Sequence, residues 1–224
     1  MFLGEFVSFL EQSGLLLLQG LNMTIQLWLG SLMIGLSLGT LFGILNCDRL
    51  KGRLLAPFIS AYVFITRGVP IYVQVLISYF VLPELLGINL SPYVAAIIAL
   101  GMCSAGYVTE IVRGGINAIA SGQWEACQVL GYSKTATLQH VIMPQMFANV
   151  LPTLANELES IIKSTAILSA IGVMELTRVG SNLVARMMNP GTVYVTVACM
   201  YLMISAALTY VTKRIERGIS YDRR

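Results

Sequence analysis

Charged and polar side chains cluster inside one long apolar segment of the chain, which runs from Val141 to Met174. The cluster consists of Asn156, Glu157, Glu159, Ser160, Lys163 and Ser164. On a helix these residues fall on two stripes, because side chains three and four positions apart share a face. The first stripe is Glu157, Ser160 and Ser164, and the second is Asn156, Glu159 and Lys163. Carboxylate, amide, hydroxyl and ammonium groups together suit a ligand that carries both an ammonium and a carboxylate group.

The two carboxylates of this cluster have different neighbours. Glu159 lies four residues before Lys163, a spacing that favours an ion pair on a helix. Glu157 has no opposite charge three or four residues away, and it points about 200° from Glu159 on a regular helix. We therefore expect Glu157, and not Glu159, to contact a substrate. The alternative is a purely structural ion pair with no ligand.

Arg67 is a further candidate, since it interrupts a second apolar run. Its guanidinium could bind the carboxylate of a substrate, or it could extend to the membrane interface while its methylenes stay in the apolar region. Glu110 and Arg113 are interpreted as marking the cytoplasmic end of a third apolar run.

The composition predicts a membrane protein. Hydrophobic residues make up 56% of the 224 residues and charged residues only 11%, with a mean hydropathy of +0.76. A helix needs about 20 apolar residues to span a bilayer. The sequence predicts a single all-α domain over 1–224 with five transmembrane helices. Their approximate bounds are 20–46, 54–82, 88–112, 141–174 and 191–212.

The distribution of basic residues predicts the orientation of these spans. One side of the predicted topology would carry Arg49, Lys51, Arg53, Arg113, Lys134, Lys213, Arg214, Arg217, Arg223 and Arg224. The other side would carry only Arg178 and Arg186. The N-terminus is therefore expected outside and the C-terminus in the cytoplasm, together with the loop at about 114–140.

No catalytic or metal-binding pattern accompanies these spans. The sequence contains no G-x-x-x-x-G-K-[ST] motif, a single histidine, and four cysteines that lie far apart. We expect no enzymatic activity, no metal and no cofactor bound by this chain. Any ATP and Mg²⁺ would be bound by a partner subunit.

The cytoplasmic loop has the features of a docking helix. Glu125, Ala126 and Cys127 begin a short helical segment, which Gly131 can end by adopting a left-handed conformation. Ser133 can cap the helix that follows. Small residues at 126 and 131 would let another protein approach closely.

This loop resembles the EAA loop of ATP-binding-cassette (ABC) importer permeases. The matching positions are Glu125-Ala126-Cys127, Gly131, Val141 and Met143-Pro144. The flanking segments resemble the polar amino-acid branch, which takes up histidine, glutamine or arginine. They include Arg67-Gly68-Val69-Pro70, Gly122-Gln123-Trp124-Glu125-Ala126, Asn156-Glu157 and the run from Ile171 to Arg178. The resemblance extends from about Gly20 to Glu216.

The resemblance implies a type I ABC importer (MetI-like) fold and a permease subunit in the bacterial inner membrane. Such a subunit translocates a polar or cationic amino acid by alternating access. Its implied partners are an ABC ATPase dimer, a second copy of the permease or a similar chain, and an extracytoplasmic substrate-binding protein. The implied residues for coupling to the ATPase are Glu125, Ala126, Gly131, Tyr132 and Ser133. The implied substrate-binding candidates are Arg67, Asn156, Glu157, Ser160, Lys163 and Ser164.

The sequence leaves the substrate and the mode of assembly open. Members of this branch often have Asp after the lysine of the fourth span, whereas Ser164 follows Lys163 here. This departure argues against a strictly basic substrate, although Glu157 and Glu159 keep one possible. The alternative function is a secondary transporter driven by an ion gradient, for which the sequence shows no clear internal repeat.

Overall fold

The computed structural model describes residues 2–221, with the side chains of residues 8–218. Arg223 and Arg224 of the predicted basic tail lie outside the described residues. Within the described part the chain forms ten α-helices and no strand. These are α1 Phe2–Leu45, α2 Leu55–Gly68, α3 Ile71–Leu76, α4 Leu82–Leu86, α5 Pro92–Asn117, α6 Ser121–Val129, α7 Lys134–Thr137, α8 Met143–Ser164, α9 Leu176–Met187 and α10 Pro190–Tyr221.

Three to five segments of the described chain can cross a membrane, and the upper number equals the five predicted spans. Three described helices are long and apolar enough by themselves: Ser8–Leu45, Pro92–Asn117 and Pro190–Gly218. Two bent pairs raise the number to five if each pair is one span. The first and last helices extend beyond the predicted bounds, because α1 begins at Phe2 and α10 continues to Tyr221.

Close packing of α1 against α5 forms the centre of the bundle. Four glycines of α1 follow each other at helical spacing, and a Cβ atom on any of them would lie within 2.5–2.8 Å of an α5 side chain. The pairs are Gly30 with Ile97, Gly35 with Ser104, Gly39 with Val108 and Gly43 with Val112. The four glycines therefore form a helix-packing surface.

The second predicted span is broken at its middle. The axes of Leu55–Gly68 and Ile71–Leu86 differ by 108°. Pro70 causes the break, since it has no N–H and holds Val69 in an extended conformation, with φ −91° and ψ 132°. The Gln74 amide donates hydrogen bonds of 2.8 Å to the carbonyls of Thr66 and Val69, which satisfies backbone groups that the break would otherwise leave unpaired.

The fourth predicted span contains more than one helix type. A π-helical turn, Leu138–Ile142, leads into α8, and a 3₁₀ segment, Thr165–Ile171, follows it. The segment 175–189, which lies between the fourth and fifth predicted spans, contains helix α9. The Glu175 carboxylate caps this helix by accepting hydrogen bonds of 2.7 Å from the backbone N–H groups of Thr177 and Arg178.

Candidate functional site

A cavity of about 440 Å³ lies between the break in the second span, α5 and α8. We call it the central cavity. The break contributes Arg67, Gly68, Val69, Pro70 and Ile71. Helix α5 contributes Leu100, Cys103, Ser104 and Tyr107, and α8 contributes Glu157, Ser160, Ile161 and Ser164. The volume is within the range of sites for small molecules.

The structure places the predicted α8 residues on two different faces. Glu157, Ser160 and Ser164 line the central cavity with Arg67. Asn156 and Lys163 do not line it, because the 100° rotation per residue turns them away. Four of the six predicted substrate-binding residues therefore line one cavity, and the other two, Asn156 and Lys163, lie outside it.

Glu159 is bound on the opposite side of α8. Its carboxylate accepts a hydrogen bond from Lys163 Nζ at 3.3 Å and another from the Thr209 hydroxyl of α10. These contacts agree with the predicted Glu159–Lys163 pair and add an interhelical contact that the sequence did not suggest. Glu159 thus joins α8 to α10.

Glu157 is half-buried and forms no ion pair with any residue that the structure describes. It faces Cys103 and Ser104 of α5. Ser104 Oγ is buried and faces the Glu157 carboxylate, to which its hydroxyl can donate a hydrogen bond. A carboxylate with this little compensation is suited to a cationic group of a ligand.

The contribution of α5 to the central cavity was missed by sequence analysis. Leu100, Cys103, Ser104 and Tyr107 are the α5 residues in the lining. Their spacing of three, one and three residues is that of a single helix face. The sequence therefore contained a small polar patch on one face of an apolar helix, which could have indicated a cavity lining. Nothing in the sequence indicates that this face packs against α8.

Arg67 lies at the junction between the central cavity and a larger, more open one. This second cavity, which we call the vestibule, has a volume of about 1000 Å³. Arg67, Gly68 and Tyr107 line both cavities. The Arg67 guanidinium carbon lies 5.7 Å from the centre of the Tyr107 ring, a distance compatible with a cation–π contact.

Two arginines share the carboxylate of Glu110 unequally. Arg113 binds it through two hydrogen bonds, Nε–Oε1 at 2.9 Å and Nη2–Oε2 at 2.8 Å. Arg67 Nη1 lies 3.6 Å from Oε2 of the same carboxylate. Bidentate geometry makes the Arg113 pair the stronger of the two. Arg67 is therefore held loosely.

The α1–α2 loop forms one wall of the vestibule and is bound to α5. Asp48 N donates a hydrogen bond of 3.1 Å to Asn117 Oδ1, and Asn117 Nδ2 donates one of 2.9 Å to Asp48 Oδ2. Lys51 hydrogen-bonds the same aspartate at 2.9 Å, which holds the pKa of the Asp48 carboxyl below its ordinary value. In addition, the Arg49 guanidinium lies 5.5 Å from the Trp124 ring of α6. The loop is thus tied to both α5 and α6.

The segment around α6 has the predicted local geometry. Gly131 has a φ of +77°, in the left-handed region, and Ser133 Oγ accepts a hydrogen bond of 3.2 Å from Ala136 N. The predicted coupling residues are all exposed: Glu125, Ala126, Gly131, Tyr132 and Ser133. The sequence analysis missed two apolar neighbours, Val129 and Leu130, which are 88% and 74% exposed. These residues form an apolar surface that a protein partner can cover.

Residues 32–221 match the family described as the inner membrane component of binding-protein-dependent transport systems. The arginine transport system permease protein ArtQ of Bacillus subtilis is 34% identical over 206 residues, or 91% of this chain and 92% of the relative. The glutamine transport system permease protein GlnP of Escherichia coli K12 is 35% identical over 205 residues, or 90% and 92%.

Solved structures have the same arrangement of helices. An amino acid ABC transporter, crystallised with histidines, matches with a TM-score of 0.85 and 30% identity, covering 95% of this chain and 98% of that one. The MetNI methionine ABC transporter in an inward-facing conformation matches with a TM-score of 0.81 and 21% identity, covering 93% and 98%. The fold is therefore that of a type I ABC importer subunit.

Proposed function

Since this chain belongs to the family of inner membrane components of binding-protein-dependent transport systems, we propose that its central cavity carries an amino acid across the cell membrane. The chain is the permease subunit of an ABC importer. The relatives are named for glutamine and arginine transport, so the substrate class is a polar or cationic amino acid. Comparisons with transporters give no support to the alternative of an ion-gradient-driven carrier.

The orientation of Glu157 carries the proposal. A carboxylate inside a membrane domain is costly unless it is compensated, and Glu157 faces a cavity with no cation paired to it among the described side chains. The ammonium group of an amino acid would supply that compensation during passage. Arg67, in the same lining, offers a group for the carboxylate of the substrate.

The route follows from the two adjoining cavities. The vestibule opens at the end of the bundle that carries the α1–α2 loop and α6, where Arg49, Lys51, Arg53 and Lys134 are concentrated. Basic residues favour the cytoplasmic side, so we assign the vestibule to the cytoplasm, with the N-terminus outside and the C-terminus inside. A broken helix at the cavity is a common feature of transporters that alternate access.

Energy for transport comes, in this proposal, from an ABC ATPase dimer that docks on the exposed apolar surface of Val129, Leu130 and Tyr132. That partner would bind ATP and Mg²⁺, and this chain would have no catalytic role. A substrate-binding protein would deliver the amino acid at the opposite side. The permease dimer would consist of two copies or of this chain and a similar one.

Purification of the tagged chain from its native membrane tests the function. We expect an ABC ATPase to co-purify, and proteoliposomes that contain the complex and its binding protein to accumulate a labelled amino acid only with ATP. Uptake that requires an ion gradient and no ATP would contradict the proposal.

A further inference from the structure

The charges that line the central cavity are few and balanced. Arg67 and Glu157 are the only charged residues in the lining that the structure describes. The other charged groups of this region point elsewhere. Glu159 and Lys163 pair on the far face of α8, and Glu110 and Arg113 lie in the vestibule.

We infer that the central cavity selects amino acids with a polar, uncharged side chain, such as glutamine, over cationic and anionic ones. This inference rests on the proposed function and narrows its substrate class. The carboxylate of the ligand would bind Arg67, and its ammonium would bind Glu157. A charged side chain would then have no opposite charge in the lining, and a desolvated, unpaired charge is strongly unfavourable.

Neutral polar groups complete the lining near Glu157. Ser160 and Ser164 lie on the same stripe of α8 as Glu157, and Ser104 faces it from α5. The Ser104 hydroxyl is 2% exposed and lies against the Glu157 carboxylate. The Ser164 hydroxyl donates to the Ser160 carbonyl at 2.9 Å, and its oxygen can still accept a hydrogen bond from a ligand. A neutral amide of a ligand could therefore be recognised by hydroxyl groups without any further charge.

Arg67 can bind a ligand without leaving an unpaired carboxylate behind. Its ion pair with Glu110 is long, at 3.6 Å, whereas Arg113 holds both oxygens of Glu110 at 2.9 and 2.8 Å. When Arg67 turns toward a ligand carboxylate, Glu110 remains neutralised by Arg113. The Arg67 guanidinium can therefore turn into the central cavity without leaving a carboxylate unpaired.

The test measures binding to the purified permease–ATPase complex in detergent, without the binding protein, so that only the selectivity of the permease contributes. The probes are radiolabelled L-glutamine, L-lysine and L-glutamate. We expect saturable binding of L-glutamine, with L-lysine and L-glutamate weaker by about tenfold or more.

A second carboxylate in the lining should change this selectivity. Ser164→Asp places one beside the cavity, and we expect its affinity for L-lysine to increase by about tenfold. Asn156→Asp is the matched control, since it adds the same charge to the same helix but outside the lining. It should leave the affinities unchanged. Co-purification of the ATPase reports that each variant is folded.

Several results would overturn the inference. The wild type could bind L-lysine as tightly as L-glutamine, or it could bind none of the probes saturably. Ser164→Asp and Asn156→Asp could also change the affinity for L-lysine equally. If Ser164→Asp does not assemble, the relative affinities of the wild type for the three probes decide whether the inference holds. ATP-driven uptake by a complex that prefers L-lysine would refute this inference and leave the proposed function intact.

Discussion

The Arg67 guanidinium lies 3.6 Å from the Glu110 carboxylate, where the central cavity adjoins the vestibule. Arg113 already neutralises that carboxylate with two shorter hydrogen bonds. Arg67 can therefore alternate between Glu110 and a substrate, which would place it both in the binding site and on the route to the vestibule.

Replacement of Arg67 by glutamine should impair recognition of the substrate. The loss of a charge-assisted hydrogen bond is worth about 1.5–3 kcal/mol, so we expect the KM for uptake to rise by about tenfold or more. Docking of the ATPase should be normal, because Arg67 lines the two cavities and is not part of the apolar surface at Val129 and Leu130. Arg217→Gln, a change of the same type on the exposed surface of α10, is the control. An unchanged KM for Arg67→Gln would show that Arg67 does not bind substrate.

Replacement of Glu159 by glutamine should act mainly on stability. Its carboxylate binds Lys163 of the same helix and Thr209 of α10. The variant loses the ion pair with Lys163 and leaves Thr209 a neutral, weaker acceptor. We expect lower expression and a Tm lower by about 2–4 °C, which corresponds to about 1 kcal/mol for a domain of this size. Thermal denaturation of the purified complex measures this change. If Glu159→Gln assembles with normal stability and cannot transport, Glu159 is the substrate contact.

Gly131→Arg should abolish transport without affecting membrane insertion. Gly131 adopts a φ of +77° with no atom within 4 Å of the position of a Cβ, so a side chain there would extend into open space that a docked partner would occupy. Gly131→Asn is the matched control, since asparagine tolerates the left-handed conformation and is much smaller. Uptake by Gly131→Arg at the wild-type rate would show that the segment is only a connection.

The Asp48–Asn117 contact should transmit the movement of α6 to the vestibule. Asn117→Ala removes both hydrogen bonds to Asp48 and leaves the α1–α2 loop held by the Arg49–Trp124 contact and by the packing of Cys47 in the core. We expect the complex to hydrolyse ATP at a near-normal rate while the amino acid transported per ATP falls severalfold. Parallel assays of hydrolysis and uptake measure the ratio. A wild-type ratio would exclude the loop from coupling.

The topology is tested by reporters fused to the two ends of the chain. A reporter after Arg224 should read as cytoplasmic and one before Phe2 as external, because the basic loops lie on the inner side. An odd number of spans requires this difference. Matching locations of the two reporters would refute the five-span arrangement.

Local patterns predicted a large part of this protein. The two stripes of α8 and the conformations of Gly131 and Ser133 depend on helix geometry or on a single turn. Such features do not require knowledge of the tertiary structure. The family resemblance added the fold and the function, which spacing by itself did not provide.

Features that depend on packing between distant segments were not predicted. Pro70 indicated an interruption, but the 108° bend and the cavity beside it depend on how α3 packs against α5. Cys103 and Ser104 look like ordinary residues of an apolar helix until α8 places Glu157 opposite them. Helix α9 was missed because its polar residues outweighed a periodic apolar face formed by Leu176, Val179 and Leu183.

ATP-driven uptake by Glu157→Gln tests the central claim most directly. The variant keeps the size of the side chain and removes the charge that faces the central cavity. Wild-type complexes in proteoliposomes should accumulate the labelled amino acid, whereas Glu157→Gln complexes should bind the ATPase and hydrolyse ATP but accumulate about tenfold less. Accumulation by Glu157→Gln at the wild-type rate would contradict the assignment of this cavity as the path of the substrate.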